Sequence, residues 1–233
     1  MAVSSEHFQS PHQDQQLIYA GADLKDAKAA MVMVHGRGAS GHDILTLAPD
    51  LKQPDFAYVA PQAYGNSWYP YSFLAPMSQN EPGLSSGLQA IADVLEQLKE
   101  AGLPAERVML LGFSQGGCLT LEFAARNAQR FGGLVGLSAG LIGPEGTPRD
   151  YPGTMGGTPL FLGCDDQDFH IPQERVHETT AVFEKLGGDV TERLYSNLGH
   201  TINQDEIVIV QNMMRNLLDL HLKLNYNPPN KRR

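Results

Sequence analysis

The chain has 233 residues, 42% of them hydrophobic, and a formal net charge of −9. That length carries one large domain with a substantial core, and the acidic balance excludes partners that need a basic surface, namely nucleic acid and anionic membranes. The two cysteines, Cys118 and Cys164, form no C-x-x-C pair and no disulfide framework, so they read as buried thiols of a reducing compartment. Met1–Gln16 is polar and lacks the apolar run of a signal peptide. The longest apolar stretch, Phe131–Gly143, is too short and Gly-rich to span a bilayer. The expectation is a cytoplasmic protein without membrane insertion, one domain over 1–233, with flexible ends at 1–16 and 225–233.

Between those ends, apolar runs alternate with helical patterns. Leu17–Ala20 can supply an edge strand. Ala30–Val34 and Phe56–Ala60 are continuous apolar runs, as strands buried on both faces should be. Ser85–Ala101 carries Leu88, Ile91, Ala92, Leu95 and Leu98 at helical spacing, and Gly102 stops it. Val108–Leu111 is the next strand and Leu119–Ala128 the next helix. Leu134–Leu137 and Pro159–Leu162 are strands, Gln173–Leu186 a helix, Val190–Tyr195 a strand, and Ile207–Leu222 a closing helix. Alternation repeated this often predicts crossover units and a mainly parallel sheet with helices on both faces. Ligands bind such sheets at the carboxyl ends of the strands, so chemistry is sought just after each strand.

After Val108–Leu111 the chain reads Gly112-Phe-Ser-Gln-Gly116 and then enters a helix. G-x-S-x-G between strand and helix is the nucleophile elbow of the α/β-hydrolase fold. The turn strains the serine backbone, crowds the positions two residues to either side so that both want glycine, and aims a helix N-terminus at the site. A second copy, Gly136-Leu-Ser-Ala-Gly140, also follows a strand. Gly143, Pro144, Gly146 and Pro148 prevent a helix from starting there. Context therefore selects Ser114 over Ser138 as nucleophile. Cys118, one helical turn beyond Ser114, reads as a helix thiol packed near the site.

A serine nucleophile needs a base and the base a carboxylate, in the chain order Ser, Asp or Glu, His. Of eight histidines, His7 and His12 lie in the polar start, His177 and His221 in helices, His35 and His42 before the serine, and His170 beside the candidate acids. His200 remains, on a Gly-containing loop just past strand Val190–Tyr195. The acid lies among Asp165, Asp166 and Asp168, after strand Pro159–Leu162, and the residues alone leave those three open. After Ala30–Val34 comes His35-Gly-Arg-Gly-Ala-Ser-Gly41. A Gly-rich loop there supplies one backbone N–H to a developing oxyanion and the residue after the nucleophile another, which assigns Arg37 and Gln115. His35 reads as a loop-holding residue. No His/Cys/carboxylate cluster has zinc spacing, and acyl transfer of this kind needs no cofactor.

Val34-His-Gly-Arg-Gly38, Ser67-Trp-Tyr69, Gly112-Phe-Ser-Gln-Gly-Gly117, Gly136-Leu-Ser138, Asp166-Gln-Asp168 with Pro172, and Gly199-His200 together make the chain resemble the phospholipase/carboxylesterase family of α/β-hydrolases, which includes small carboxylesterases, lysophospholipases and acyl-protein thioesterases. The resemblance spans about residues 30 to 215, in the family's order. Its pattern of an Asp, any residue, the triad Asp and a Pro four residues on implies Asp168 as the acid. Arg37 departs from the family, where long-acyl enzymes often carry an apolar residue. It brings a cation toward the mouth of the site, unless it serves in a surface ion pair. The segment 68–82, with Trp68, Tyr69, Phe73, Leu74 and Met77 among three prolines, reads as an irregular apolar loop lining the acyl pocket. The chain is too short for a large lid.

The expected function is hydrolysis of short-to-medium acyl carboxylic esters through Ser114, Asp168 and His200. Alternatives are a lysophospholipase, an acyl thioesterase, a dienelactone-hydrolase-like activity, or a ligand-binding protein that does not turn over. The expected partner is a small-molecule ester. A homodimer is allowed, though no exposed heptad or edge pattern commits the chain to one.

Overall fold

The computed structural model describes residues 10–225. Seven strands form one sheet in the order β1-β3-β2-β4-β5-β6-β7. β2 (Ala29–Val34), β3 (Phe56–Pro61), β4 (Val108–Phe113), β5 (Gly133–Leu137), β6 (Pro159–Asp165) and β7 (Asp189–Tyr195) are parallel. β1 (Leu17–Gly21) runs antiparallel along β3 at one edge. Every apolar run named above is a strand. The four central runs are buried along nearly their whole length because helices cover both faces. β7, the other edge, alternates exposed and half-buried residues (Asp-Val-Thr-Glu-Arg), and its charged outer side discourages pairing with another strand.

One face is covered by α3 (Gly83–Glu100), α4 (Gln115–Arg126) and α5 (Gln173–Lys185). The other is covered by two short helices, α1 (Gly41–Leu45) and α2 (Ala48–Leu51), together with α6 (Gln204–Asn225). Strand alternation divides the core accordingly: Ala30, Val32 and Val34 face α3 and α4, while Ala29, Met31 and Met33 face α1, α2 and α6. In α3 the innermost stripe is Leu84, Ile91, Val94 and Leu98. The predicted Leu88, Ala92 and Leu95 flank it, half-buried. α4 starts at Gln115, one turn before the predicted Leu119. Among the described residues no helix is long and apolar enough to cross a membrane.

The start of the chain is tied down sooner than its composition suggests. His12 is buried. Its Nδ1 accepts the Tyr64 backbone N–H (3.0 Å), which leaves Nε2–H to donate to the Trp68 carbonyl (2.9 Å), and its own N–H donates to Ser86 Oγ. Burial holds its imidazole pKa below the ordinary value, consistent with that neutral tautomer. Residues 10–16 are therefore not a loose end. The remainder of the two expected ends, 1–9 and 226–233, lies outside the described residues.

Topology assembles the site. β2 and β4 are neighbours, with Val34 opposite Gly112, so the loop after β2 lies beside the elbow after β4. β6 and β7 are neighbours, with Asp165 opposite Tyr195, so the acidic loop lies beside the His200 loop. All four loops leave the same edge of the sheet.

Candidate active site

Ser114 has φ 55° and ψ −123°, a conformation that costs about 1–3 kcal/mol for a non-glycine residue and persists because its surroundings fix it. Its N–H donates to the Leu137 carbonyl, and its carbonyl accepts from Cys118 inside α4. A Cβ at Gly112 would lie 2.4 Å from the Gly116 carbonyl oxygen, and one at Gly116 would lie 2.2 Å from that of Val34. Both glycines are thus required by close backbone approach, the second against β2 rather than across the elbow. Ser138 also has a positive φ, 45°, after β5. No helix follows it, and it is absent from the walls of the cleft described below.

His200 Nε2 is 2.8 Å from Ser114 Oγ, and its Nδ1 is 2.7 Å from Asp168 Oδ2. The carboxylate can only accept, so Nδ1 carries the proton and Nε2 faces the hydroxyl as an acceptor. Asp168 Oδ1 accepts backbone N–H groups from His170 (2.8 Å) and Ile171 (3.1 Å). Burial alone would raise the Asp168 carboxyl. The His200 and backbone hydrogen bonds outweigh it and hold the pKa below the ordinary carboxylate value. The other two carboxylates organise the loops. Asp165 accepts from the Gln167 and Gly199 backbone amides. Asp166 accepts from Ser196 Oγ, and its N–H donates to the Tyr195 carbonyl. The structure therefore separates the three aspartates that the residues alone left open.

Arg37 and Gln115, the latter at the first position of α4, line the same cleft as Ser114, and their backbone N–H groups are the candidate oxyanion donors. Neither donates to an acceptor among the described residues. The side chains of both residues reach the same segment. Gln115 Oε1 accepts the Trp68 N–H (2.9 Å), and its Nε2 donates to the Tyr69 carbonyl (2.8 Å). Arg37 donates to Ser67 Oγ (3.0 Å) and to the carbonyls of Pro70 (2.9 Å) and Tyr71 (2.6 Å), with its guanidinium 5.9 Å from the Tyr69 ring centroid. Arg37 is exposed and lines the cleft; its side chain makes no ion pair among the described residues and turns its donors into the loop. His35 holds the loop as predicted, accepting from Ala63 N–H at Nε2 and donating from Nδ1 to the Gly36 carbonyl. Burial lowers its pKa.

These groups open onto a cleft of about 600 Å³. Of the five predicted wall residues, Tyr69 and Phe73 line it. Trp68 does not: it is 0% exposed, and its indole N–H is turned inward to the His35 carbonyl. Leu74 and Met77 pack against the core instead. The rest of the wall comes from Pro70, Tyr71, Ser72, Phe113, Cys118, His170 and Ile171, along with Gly36 and Ala39. Cys118 is buried, which pushes its thiol pKa up to about 12, so it is a neutral wall atom and not a competing nucleophile. His170 stands edge-on to the His200 ring, with centroids 4.8 Å apart, and the neighbouring Phe169 is 77% exposed. Sequence reasoning noted His170 only for its place beside the acids. Its position in the wall follows from Asp168 drawing its backbone into the site.

Residues 18–218 match the family model for phospholipase/carboxylesterase. The chain belongs to the phospholipase/carboxylesterase family. A solved phospholipase/carboxylesterase from Dyadobacter fermentans is 42% identical, with a TM-score of 0.84, covering 88% of this chain and 97% of that one. Acyl-protein thioesterase 1 from Emericella nidulans is 26% identical over 212 residues, 79% of this chain and 88% of that protein. The Bacillus cereus carboxylesterase shares the fold at 14% identity, with a TM-score of 0.69 over 88% of this chain and 95% of that one. This member of the phospholipase/carboxylesterase family is accordingly an ester-hydrolysing enzyme on an α/β-hydrolase fold.

Proposed function

We propose that the enzyme is a serine carboxylesterase acting on short-to-medium acyl esters. The observation that carries this reading is the continuous relay from Asp168 through His200 to Ser114, with both links under 3 Å. Ser114 Oγ attacks the ester carbonyl as its proton passes to His200 Nε2, and Asp168 stabilises the imidazolium. The N–H groups of Arg37 and Gln115 donate hydrogen bonds to the carbonyl oxygen as negative charge develops on it. His200 then protonates the departing alcohol, and a water activated by the same imidazole releases the acid from Ser114. The modest cleft, walled by Tyr69, Phe73 and Cys118, supports a compact acyl group.

A thioesterase reading is favoured by the relatives named acyl-protein thioesterase 1. Both readings use the same residues and differ in acyl length and leaving atom. The test is kcat/KM on p-nitrophenyl esters of increasing acyl length and on matched acyl thioesters, with Ser114→Ala as blank. The proposal expects Ser114→Ala to lose at least a thousandfold, with an optimum at short oxyesters. A long-acyl thioester optimum transfers the assignment to the thioesterase. Equal rates for the two proteins refute the nucleophile.

A further inference from the structure

Asp165 is 2% exposed, takes no part in the relay, and is not one of the ends of the Asp-x-Asp pair that the family pattern marks. A buried carboxylate must be compensated by hydrogen bonds to remain ionised. Its partners fall on two different loops. Oδ1 accepts the Gln167 N–H at 2.7 Å, inside the loop that ends in Asp168. Oδ2 accepts the Gly199 N–H at 2.5 Å, the residue immediately before His200. Gly199 has φ +74° and lies on an exposed loop with Asn197, also at positive φ, so local backbone preference does little to hold it.

We propose that Asp165 is the positioning residue that holds the base to its acid, joining the Asp168 loop to the His200 loop through one buried carboxylate. The proposal rests on the relay assigned above and extends it. Asp165 is not among the residues that line the cleft, and its side chain bonds Gln167 and Gly199, not Ser114. Its effect is to fix the backbone from which His200 projects, so that Nδ1 stays 2.7 Å from Asp168 while Nε2 stays 2.8 Å from Ser114. Displacements near 1 Å in such constellations cost on the order of a hundredfold in rate.

The first measurement is amide hydrogen exchange in the wild-type protein. A clamp predicts that the Gly199 N–H exchanges at least a hundredfold slower than an open loop amide, although the residue is exposed. Exchange at the open-loop rate overturns the proposal without any variant. The second is Asp165→Asn, which keeps the shape but replaces one acceptor oxygen with a donor facing an N–H. It is expected to lower kcat roughly ten- to hundredfold with KM within about threefold. It should also broaden the downfield proton resonance of the His200 Nδ1–H bond to Asp168, which a loss of global stability alone would not do below the melting temperature. A kcat within twofold of wild type together with an unchanged downfield resonance overturns the clamp. Wild-type turnover equal to that of Ser114→Ala would instead strike the relay's assignment, while the exchange and resonance readings would still report on the clamp.

Discussion

At the scale of single residues, the site depends on side chains that never touch the reacting atoms. Arg37 lines the cleft, and its side chain is bonded to Ser67, Pro70 and Tyr71. Removing those bonds frees both the donor loop and the aromatic wall. Arg37→Met should therefore lower kcat/KM about three- to tenfold, the modest size reflecting an exposed guanidinium. Arg37→Lys should restore little, because a single ammonium cannot span the three acceptors. Steady-state kinetics on one short ester checks both. Much of this site was legible in the sequence. Ser114 and His200 follow from motif context and chain order, since strand ends on a parallel sheet constrain where such groups sit. Asp168 was not separable from Asp165 and Asp166 by residue type. The distinction lies in which partner each carboxylate meets, the His200 ring for Asp168, the Gln167 and Gly199 amides for Asp165 and the Ser196 hydroxyl for Asp166, and that depends on the pairing of β6 with β7. The wall was half legible: composition marks 68–82 as an apolar loop but does not say that Trp68 turns inward to satisfy its N–H.

At the scale of elements, the joint between the His200 loop and α6 sets a pH response. Asn203 and Glu206 cap α6 reciprocally: Glu206 Oε2 accepts the Asn203 N–H (2.8 Å) and Asn203 Oδ1 accepts the Glu206 N–H (3.0 Å). Glu206 is fully buried, and its Oε1 has no partner among the described residues. Burial raises its pKa to about 7. Between about pH 4.5 and 7 the folded protein thus holds a proton that the unfolded chain releases. This contribution is complete below the unfolded value and is lost as pH rises through 7, amounting to about 3 kcal/mol. Glu206→Gln should flatten this part of the stability curve, being stabilised relative to wild type at pH 8 and not at pH 5. Urea unfolding at the two pH values reads it. The elements themselves were legible where apolar period or continuity ran for four residues or more. α1 and α2, of five and four residues, carry no readable period. They exist because Ile44, Leu45 and Leu51 cover the β2–β3 end of the sheet.

At the scale of the whole molecule, the sheet divides the core into two layers that share strands but not side chains. Leu119 of α4 belongs to one layer and Met214 of α6 to the other, both at 0% exposure. Either residue changed to alanine should cost about 2–5 kcal/mol. The double variant should lose the sum to within about 0.5 kcal/mol, since the sites share no partners. Denaturant titration of the four proteins tests this, and a larger coupling would mean that the sheet transmits repacking between layers.

The cleft wall is fastened from several directions: by Arg37 and Gln115 from the site side, by His12 from behind through the Trp68 carbonyl, and by the buried Asn80 side chain, which bonds Tyr71 N–H and the Ser72 carbonyl. A wall so fastened has no flap to lift at an oil–water boundary. Rates on a sparingly soluble ester such as tributyrin should follow the dissolved concentration and level off at saturation. Emulsion droplets should produce neither a lag nor the abrupt rise by which lipases announce an interface.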